Sequence, residues 1–283
     1  MGNDFIELIK NTDARFTKLE QRIASFITLR PELLLLNTSA EIAAQLDVSA
    51  MTVSRFFKKL GYKNSSDARK KVKADIYGPM PTRIGHRFEN YLTRADQHDN
   101  QELESLQHII MAAYHQRQAP QWQAIVESLS FSRNLYGIGM QTMHYLAQGF
   151  CDRLKYIRPN IHILNAADGI YPQIYNKDAD KDALIIIDTY RYGADGPKLA
   201  EMAQRLGIDV IVICDEFCEW AAPITDKIIV LPHENQFFMG LPTGIHTVLN
   251  LLLKDIILIL GKSTEDRLAR ISAGQDFFDP YVD

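Results

Sequence analysis

A chain of 283 residues is long for one hydrophobic core and fits two domains of the usual ~100–200 residues. With 46% hydrophobic and 23% charged residues it has an ordinary globular composition, which excludes disordered and collagen-like classes. Its charge is uneven, residues 1–80 carrying a net +4 and the remainder a net −8, so the two parts are expected to meet different partners.

The first strong local signals lie in the N-terminal third. Thr17 and Glu20 have the spacing of a capping box ahead of Ile23, Ala24 and Ile27. Pro31 is suited to opening a short helix through Leu36. Next, Thr38 or Ser39 can cap a helix whose Ile42, Ala43 and Leu46 share one face, and Asp47-Val48-Ser49 breaks it. Ser49 can then cap a second helix by accepting from the backbone N–H of Met51 or Thr52. In that helix Val53, Phe56, Phe57 and Leu60 recur at i, i+3, i+4 and i+7, and Gly61 suits its left-handed end. A further helix is expected from Ser65 or Ser66 to about Ile76.

Two short helices around a tight turn, the second one basic, make a helix-turn-helix. Once the apolar stripe faces inward, Ser49, Met51, Thr52, Ser54 and Arg55 remain to read base edges in a major groove. Lys58, Lys59, Arg69 and Lys70 are placed for phosphates, which give affinity without sequence information. Residues 1–78 are therefore read as an all-α DNA-binding domain, with double-stranded DNA as its partner.

Gly78, Pro79 and Pro81 mark a break, and residues 79–100 read as a linker with helical content. Helical periodicity resumes at Leu103–Ala113 and Trp122–Leu129. Five short apolar runs follow: Asn134–Ile138, Ile161–Leu164, Ala183–Ile187, Val210–Cys214 and Lys227–Leu231. Helices are expected between and after them near Thr142–Leu154, Gly169–Asn176, Pro197–Leu206 and Leu241–Leu260. Strands alternating with helices imply a doubly wound α/β domain over 101–283, with a five-stranded parallel sheet that binds ligands beyond its carboxyl ends. The first run enters its helix through Gly137-Ile138-Gly139-Met140-Gln141-Thr142, where two glycines would let the backbone approach a ligand.

Cys151, Cys214 and Cys218 are too few for a disulfide framework and lack zinc spacing, so they read as small buried or half-buried residues. No uninterrupted apolar stretch reaches the ~18 residues of a membrane span. The start MGNDFIELIK lacks the pattern of a signal peptide, so a cytoplasmic protein without metal or cofactor is expected.

The capped helical domain ending RFFKKLGY, the linker, the strand-GIGMQT-helix and the segment LIIIDTYRYGADGPKLAEMAQRLGIDVIVICD together resemble the RpiR family of bacterial transcription regulators. The resemblance spans nearly the whole chain. It implies a helix-turn-helix joined to a SIS (sugar isomerase) domain that senses phosphorylated sugars, in dimers or tetramers on palindromic operators. It also implies an effector site at Gly137, Gly139, Gln141, Thr142, Asp188, Tyr190, Arg191 and Gly193. There the chain departs from the family pattern. Gln141 stands at a Ser position, and Asp188, Tyr190, Arg191 and Gly193 replace the Ser, Ser, Gly and Thr of the phosphate loop.

The loop is expected to run from Asp188 to Gly196, because Pro197 fits the first helical turn and biases Gly196 away from the helical region. Two ligand classes fit. A neutral or carboxylated polyhydroxy effector would use Asp188 as acceptor, Arg191 as carboxylate fork and Tyr190 or Tyr192 as cover. Alternatively, a sugar phosphate would be held by Thr142, loop amides and Arg191. A degenerate pocket that only dimerises is the third reading. A sugar-phosphate isomerase or lyase is the enzymatic alternative, with His233, Glu234 and His246 as its possible bases, though a non-enzymatic regulator fits the motifs better.

Overall fold

The computed structural model describes residues 4–12, 15–29, 34, 39–65, 67–68, 71, 84–94, 102–165, 169–190, 192–233, 238 and 242–279. The chain divides into two compact units, residues 1–96 and 97–283.

The N-terminal unit is helical: α1 (Asp4–Thr12), α2 (Lys18–Leu29), α3 (Ser39–Gln45), α4 (Ala50–Lys59) and α5 (Ile84–Arg94). The capping box is present as read. Thr17 N–H donates to Glu20 Oε2 at 2.8 Å and Glu20 N–H donates to Thr17 Oγ1 at 3.3 Å, which fixes where α2 starts. Ser49 Oγ accepts from Thr52 N–H at 3.1 Å and so caps α4. The i, i+3, i+4, i+7 stripe of Val53, Phe56, Phe57 and Leu60 is buried, packed with Ile23, Ile27 and Ile42. Gly61, at φ +90°, takes the left-handed turn after α4. Helix α1 was not anticipated. Its Phe5 and Ile9 are buried in the same core, with Phe5 against the Tyr62 ring at 5.8 Å. The helix expected from Pro31 to Leu36 lies almost wholly outside the described residues.

The second unit holds α6 (Glu102–Gln116), α7 (Trp122–Phe131), β1 (Leu135–Gly139), α8 (His144–Ile157), β2 (Ile161–Ile163), β3 (Ala183–Ile187), α9 (Asp195–Arg205), β4 (Asp209–Asp215), β5 (Ile228–Leu231), α10 (Thr243–Leu260) and α11 (Lys262–Phe278). The sheet order is β2-β1-β3-β4-β5, and every pairing is parallel. Strands buried on both faces need the continuous apolar runs that the sequence supplies. Ile185, Ile187, Ile211 and Ile213 point to one side and pack with α7, α8 and α10. Leu184, Ile186, Val210 and Val212 point to the other and pack with α9.

Three sequence expectations change here. The helix expected over Gly169–Asn176 is a single 3-10 turn, Pro172–Ile174, preceded by Tyr171 at φ +52°, since a left-handed residue followed by proline cannot continue a helix inward. Helix α9 begins at Asp195, so Gly196 is helical despite the following Pro197, and the loop ends at Ala194. Helix α10, at 18 residues and mean hydropathy 1.6, is long and apolar enough to cross a membrane by those two measures. Its Val248, Leu249, Leu252 and Ile256 are nevertheless buried against the sheet, and its Asp255 holds Arg117 and Trp122.

Candidate functional site

Two surfaces carry chemistry. On the first, the outward face of α4 presents Ser49, Met51, Arg55 and Lys58 to solvent, with Thr52 and Ser54 half-buried beside them. Met51 is 62% exposed, a large apolar side chain left in water on a helix whose Val53, Phe56 and Phe57 are buried. Such a group suits contact with a thymine methyl. Ser49 Oγ and Thr52 Oγ1 lie 2.8 Å apart, so the cap also orients a hydroxyl on this face.

Lys59 departs from its expected role. Its Nζ donates to Glu20 Oε2 at 2.7 Å and lies 5.9 Å from the centre of the Phe16 ring, so it ties α4 to α2 rather than facing a phosphate. Arg69 and Lys70 lie outside the described residues.

The second surface is the carboxyl edge of the sheet, where β1 and β3 diverge at the topological switch point. Gly137 and Gly139 are there for packing. A Cβ on Gly137 would sit 2.4 Å from Cys151 Sγ, and one on Gly139 2.1 Å from the Met143 carbonyl oxygen. The two glycines therefore let α8 and its leading turn close on the strand; ligand approach is not what requires them. Gln141, at φ +50°, and Thr142 are exposed, and Gln141 Nε2 comes near Gly193. The β1 and β3 loops thus meet.

Asp188 was expected to accept hydrogen bonds from a ligand. Its carboxyl is instead buried, 2% exposed, beneath the first turn of α9, where a Cβ on Gly196 would lie 3.0 Å from Oδ2 and 3.7 Å from Met140. Among the described residues Oδ2 has no hydrogen-bond partner. Burial, reinforced by the charge of Asp215, pushes its pKa up to about 7.

A small cavity of about 50 Å³ opens on the other face of the sheet, lined by Met143, Thr189, Asp215, His233, Pro242 and Ile245, among others. None of the seven described effector residues predicted from the sequence lines it. Arg191 lies outside the described residues, while Thr142, Asp188 and Tyr190 sit next in sequence to lining residues. The organising group is Asp215 at the end of β4. Its carboxylate accepts from the Tyr190 backbone N–H at 2.7 Å, the Phe217 N–H at 3.1 Å, the Tyr192 hydroxyl, and His233 Nδ1 at 3.0 Å.

Burial, with Asp215 alongside, holds the Tyr192 phenol far above its ordinary range, so it remains a donor. Tyr190, Phe217 and His233 pack edge to face, with centroids 5.1–5.7 Å apart. Asp215 thereby straps the β3 loop across the strand ends. Sequence reading missed it because Cys214-Asp215 ends an apolar run with no motif around it; the strand-end position was the available signal.

Residues 3–77 match the model of the helix-turn-helix domain of the rpiR family. The N-terminal domain is an rpiR-family helix-turn-helix. In this rpiR-type domain α3 and α4 are the two helices of the motif. Among the curated proteins none matches the chain.

Solved structures show the fold of the rest. The NanR protein of Vibrio vulnificus, complexed with ManNAc-6P, is 14% identical with a TM-score of 0.51, covering 97% of this chain and 98% of NanR. The sugar isomerase domain of an RpiR transcription factor from Sphaerobacter thermophilus is 19% identical with a TM-score of 0.55, over 63% of this chain and 98% of that one. After the rpiR-type domain in sequence comes the five-stranded parallel α/β sheet of a SIS fold.

Proposed function

We propose that the chain is a sequence-specific transcription regulator of carbohydrate metabolism, its DNA affinity set by a sugar-like effector at the strand ends of the SIS-fold domain. The observation that carries this is an rpiR-type domain with its second helix capped, packed and exposing Arg55 and Lys58, on the same chain as a SIS fold. The likeness to NanR, a structure holding a sugar phosphate, supports a sugar-derived effector of either kind. As a dimer or tetramer, two such domains would dock in successive major grooves of a palindromic operator. Effector binding would shift their placement only as far as it distinguishes two arrangements.

The strand-end chemistry favours an effector recognised through hydroxyl, amine or carbonyl groups. The Asp215 carboxylate at the strand ends would repel a phosphate dianion there. A sugar phosphate needs Arg191, Thr142 and loop amides to outweigh it. The cavity measures about 50 Å³ as it stands, so a sugar would need the strand-end loops to open.

DNA binding followed by fluorescence anisotropy, with sugars, sugar acids and their phosphates as additives, tests both parts. Neutral or acid forms should shift operator affinity and phosphates should not; a response to phosphates alone overturns the effector class. Asp215→Asn should retain DNA binding and lose the response. Arg55→Ala should cost roughly 1–3 kcal/mol on operator and little on random DNA, whereas Lys58→Ala should weaken both and lower the salt slope by about one. Equal losses on both DNAs for both variants would sink the assignment of α4 as reader.

One observation favours a second reading. His233 at 3.0 Å from Asp215, beside a cavity, has the form of a base and its orienting carboxylate, as a sugar-phosphate isomerase or lyase would need. Turnover of ketose or aldose phosphates by the pure protein, lost in His233→Ala, would establish that reading.

A further inference from the structure

One stretch of the second unit is a helix with no core behind it. Helix α11 is anchored at its start, where Thr264 is buried and the Arg267 guanidinium donates to the Lys155 carbonyl at 2.9 and 2.6 Å. From Leu268 to Phe278 no residue is buried. A helical arm of that length is marginal in water by itself, because most helical stability comes from packing. Its side chains are also wrong for a solvated arm. Leu268, Ile271 and Phe278 fall on one face, and Phe277 and Phe278 end the helix 82% and 77% exposed, their rings 5.1 Å apart.

The same unit holds an apolar cleft of about 840 Å³ between α6, α7 and α10, lined by Met111, Tyr114, Trp122, Val126, Leu258 and Ile259 among others. Met111, Tyr114 and Leu258 are each half or more exposed. No α11 residue lines the cleft. Along an unbroken helix at ~1.5 Å per residue, Phe277 stands ~22 Å from Lys262, so the tip lies outside its own chain's cleft.

We propose that Phe277 and Phe278 of one copy seat in the α6–α7–α10 cleft of a second copy, in a reciprocal exchange that pairs two chains about a two-fold axis. Charge favours this occupant. Asp276 and Asp279 flank the rings, while Arg117 lines the cleft and Lys254 stands one turn before Leu258 on the same face of α10. The acid of the lining, Asp255, is already held by Arg117 and Trp122.

Area favours it too. At about 150–250 Å² per aromatic side chain, two rings so exposed offer roughly 300 Å² and the cleft walls about as much. Exchanged in both directions, that removes ~1,200 Å² from water, the lower end of what stable interfaces bury. The contact is the same in both directions, so it closes at two chains. It also gives the unburied arm of α11 the packing that its own chain does not provide. This pairing is the self-association that the proposed function calls for, but it depends on neither the reading helix nor the effector.

Sedimentation equilibrium of the full-length chain, without DNA or effector, tests it. The parent chain should be a dimer. Phe277→Ser with Phe278→Ser, both at exposed positions that the fold does not use, should raise the dissociation constant at least about a hundred-fold. Leu258→Glu, on the other side of the contact, should raise it at least about ten-fold. A chain carrying Leu258→Cys and Phe278→Cys should form a covalent dimer on mild oxidation, with a peptide link between positions 258 and 278. A monomeric parent, a double Phe variant that associates as before, or a 258–278 link formed within one chain would each overturn the proposal. Weakening by Leu258→Glu alone would overturn it as well, and would point to two α10 faces packed directly on each other. Because the readout is mass and cross-link, a failed DNA or effector assignment leaves the result unaffected.

Discussion

The two surfaces of this protein are built by opposite means. The face of α4 is what remains of a helix after its apolar stripe has been buried, so its residues follow from local periodicity and one cap. The strand-end surface is assembled from segments far apart in sequence. Thr189, Asp215 and His233 come from the ends of three strands, and a single carboxylate joins the three segments. A helix surface is set by spacing within the chain, whereas a strand-end site is set by which loops the topology brings together.

The sharpest way to separate the two is to remove the core behind one of them. Phe56 is fully buried, with its ring 5.1 Å from Phe16 and 5.3 Å from Phe57. Phe56→Ala should cost the N-terminal unit about 3–5 kcal/mol, enough to unfold a marginal domain and abolish DNA binding. Thermal unfolding by calorimetry should then show the transition of the SIS-fold unit persisting. Its loss together with that of the first unit would show that the two surfaces do not stand on separate cores.

The same contrast explains what the sequence made legible. The capping box, the Ser49 cap, the α4 stripe and all five strands were readable within a residue or two, because each is a local pattern of period 3.6 or 2, or a short apolar run bounded by turn residues. At the strand ends, position was legible and identity was not. Asp188 was singled out from a motif comparison, but alternation along β3 turns its side chain under α9, away from the cavity. Gly137 and Gly139 carried a plausible ligand role that packing against Cys151 and Met143 accounts for. Asp215 acts through partners 18 to 25 residues away that no periodicity links. Helix α1 was missed although it was legible: Phe5 and Ile9 fall at i and i+4 of Asp4–Thr12 and both are buried.

A second test uses Asp188, the acid without a described partner on Oδ2. Its pKa, raised to about 7, means the folded state holds its proton more tightly than the unfolded chain does. That stabilisation is complete below the unfolded value and is lost as pH rises towards 7, so charging a buried group costs the SIS-fold unit roughly 2–4 kcal/mol at neutral pH. Asp188→Asn should remove most of the slope between about pH 4 and 7 and leave that unit more stable near neutrality. Urea unfolding at several pH values measures it. An unchanged slope would mean Asp188 is already charged in the folded protein.

The smallest effect has the opposite sign, and it belongs to the other surface. Burial raises the pKa of Glu20, but hydrogen bonds from Lys59 and Thr17 more than offset it and leave the carboxyl below its ordinary value. A depressed pKa contributes stability that is present above the unfolded value, near 4.5, and is lost as pH falls through the folded one. With Lys59 35% exposed and Glu20 10%, the ion pair should be worth no more than about 1 kcal/mol and should weaken with salt. Lys59→Met keeps the stem that lies over Phe16 and removes the charge, so it should cost up to ~1 kcal/mol at neutral pH and nearly nothing in acid, where Glu20 is protonated in both proteins. Acidification from pH 6 to 4 should therefore weaken the N-terminal unit slightly while it strengthens the SIS-fold unit. Two unfolding transitions moving apart as the pH falls would show that each surface answers to its own buried carboxylate; transitions that move together would mean that neither does.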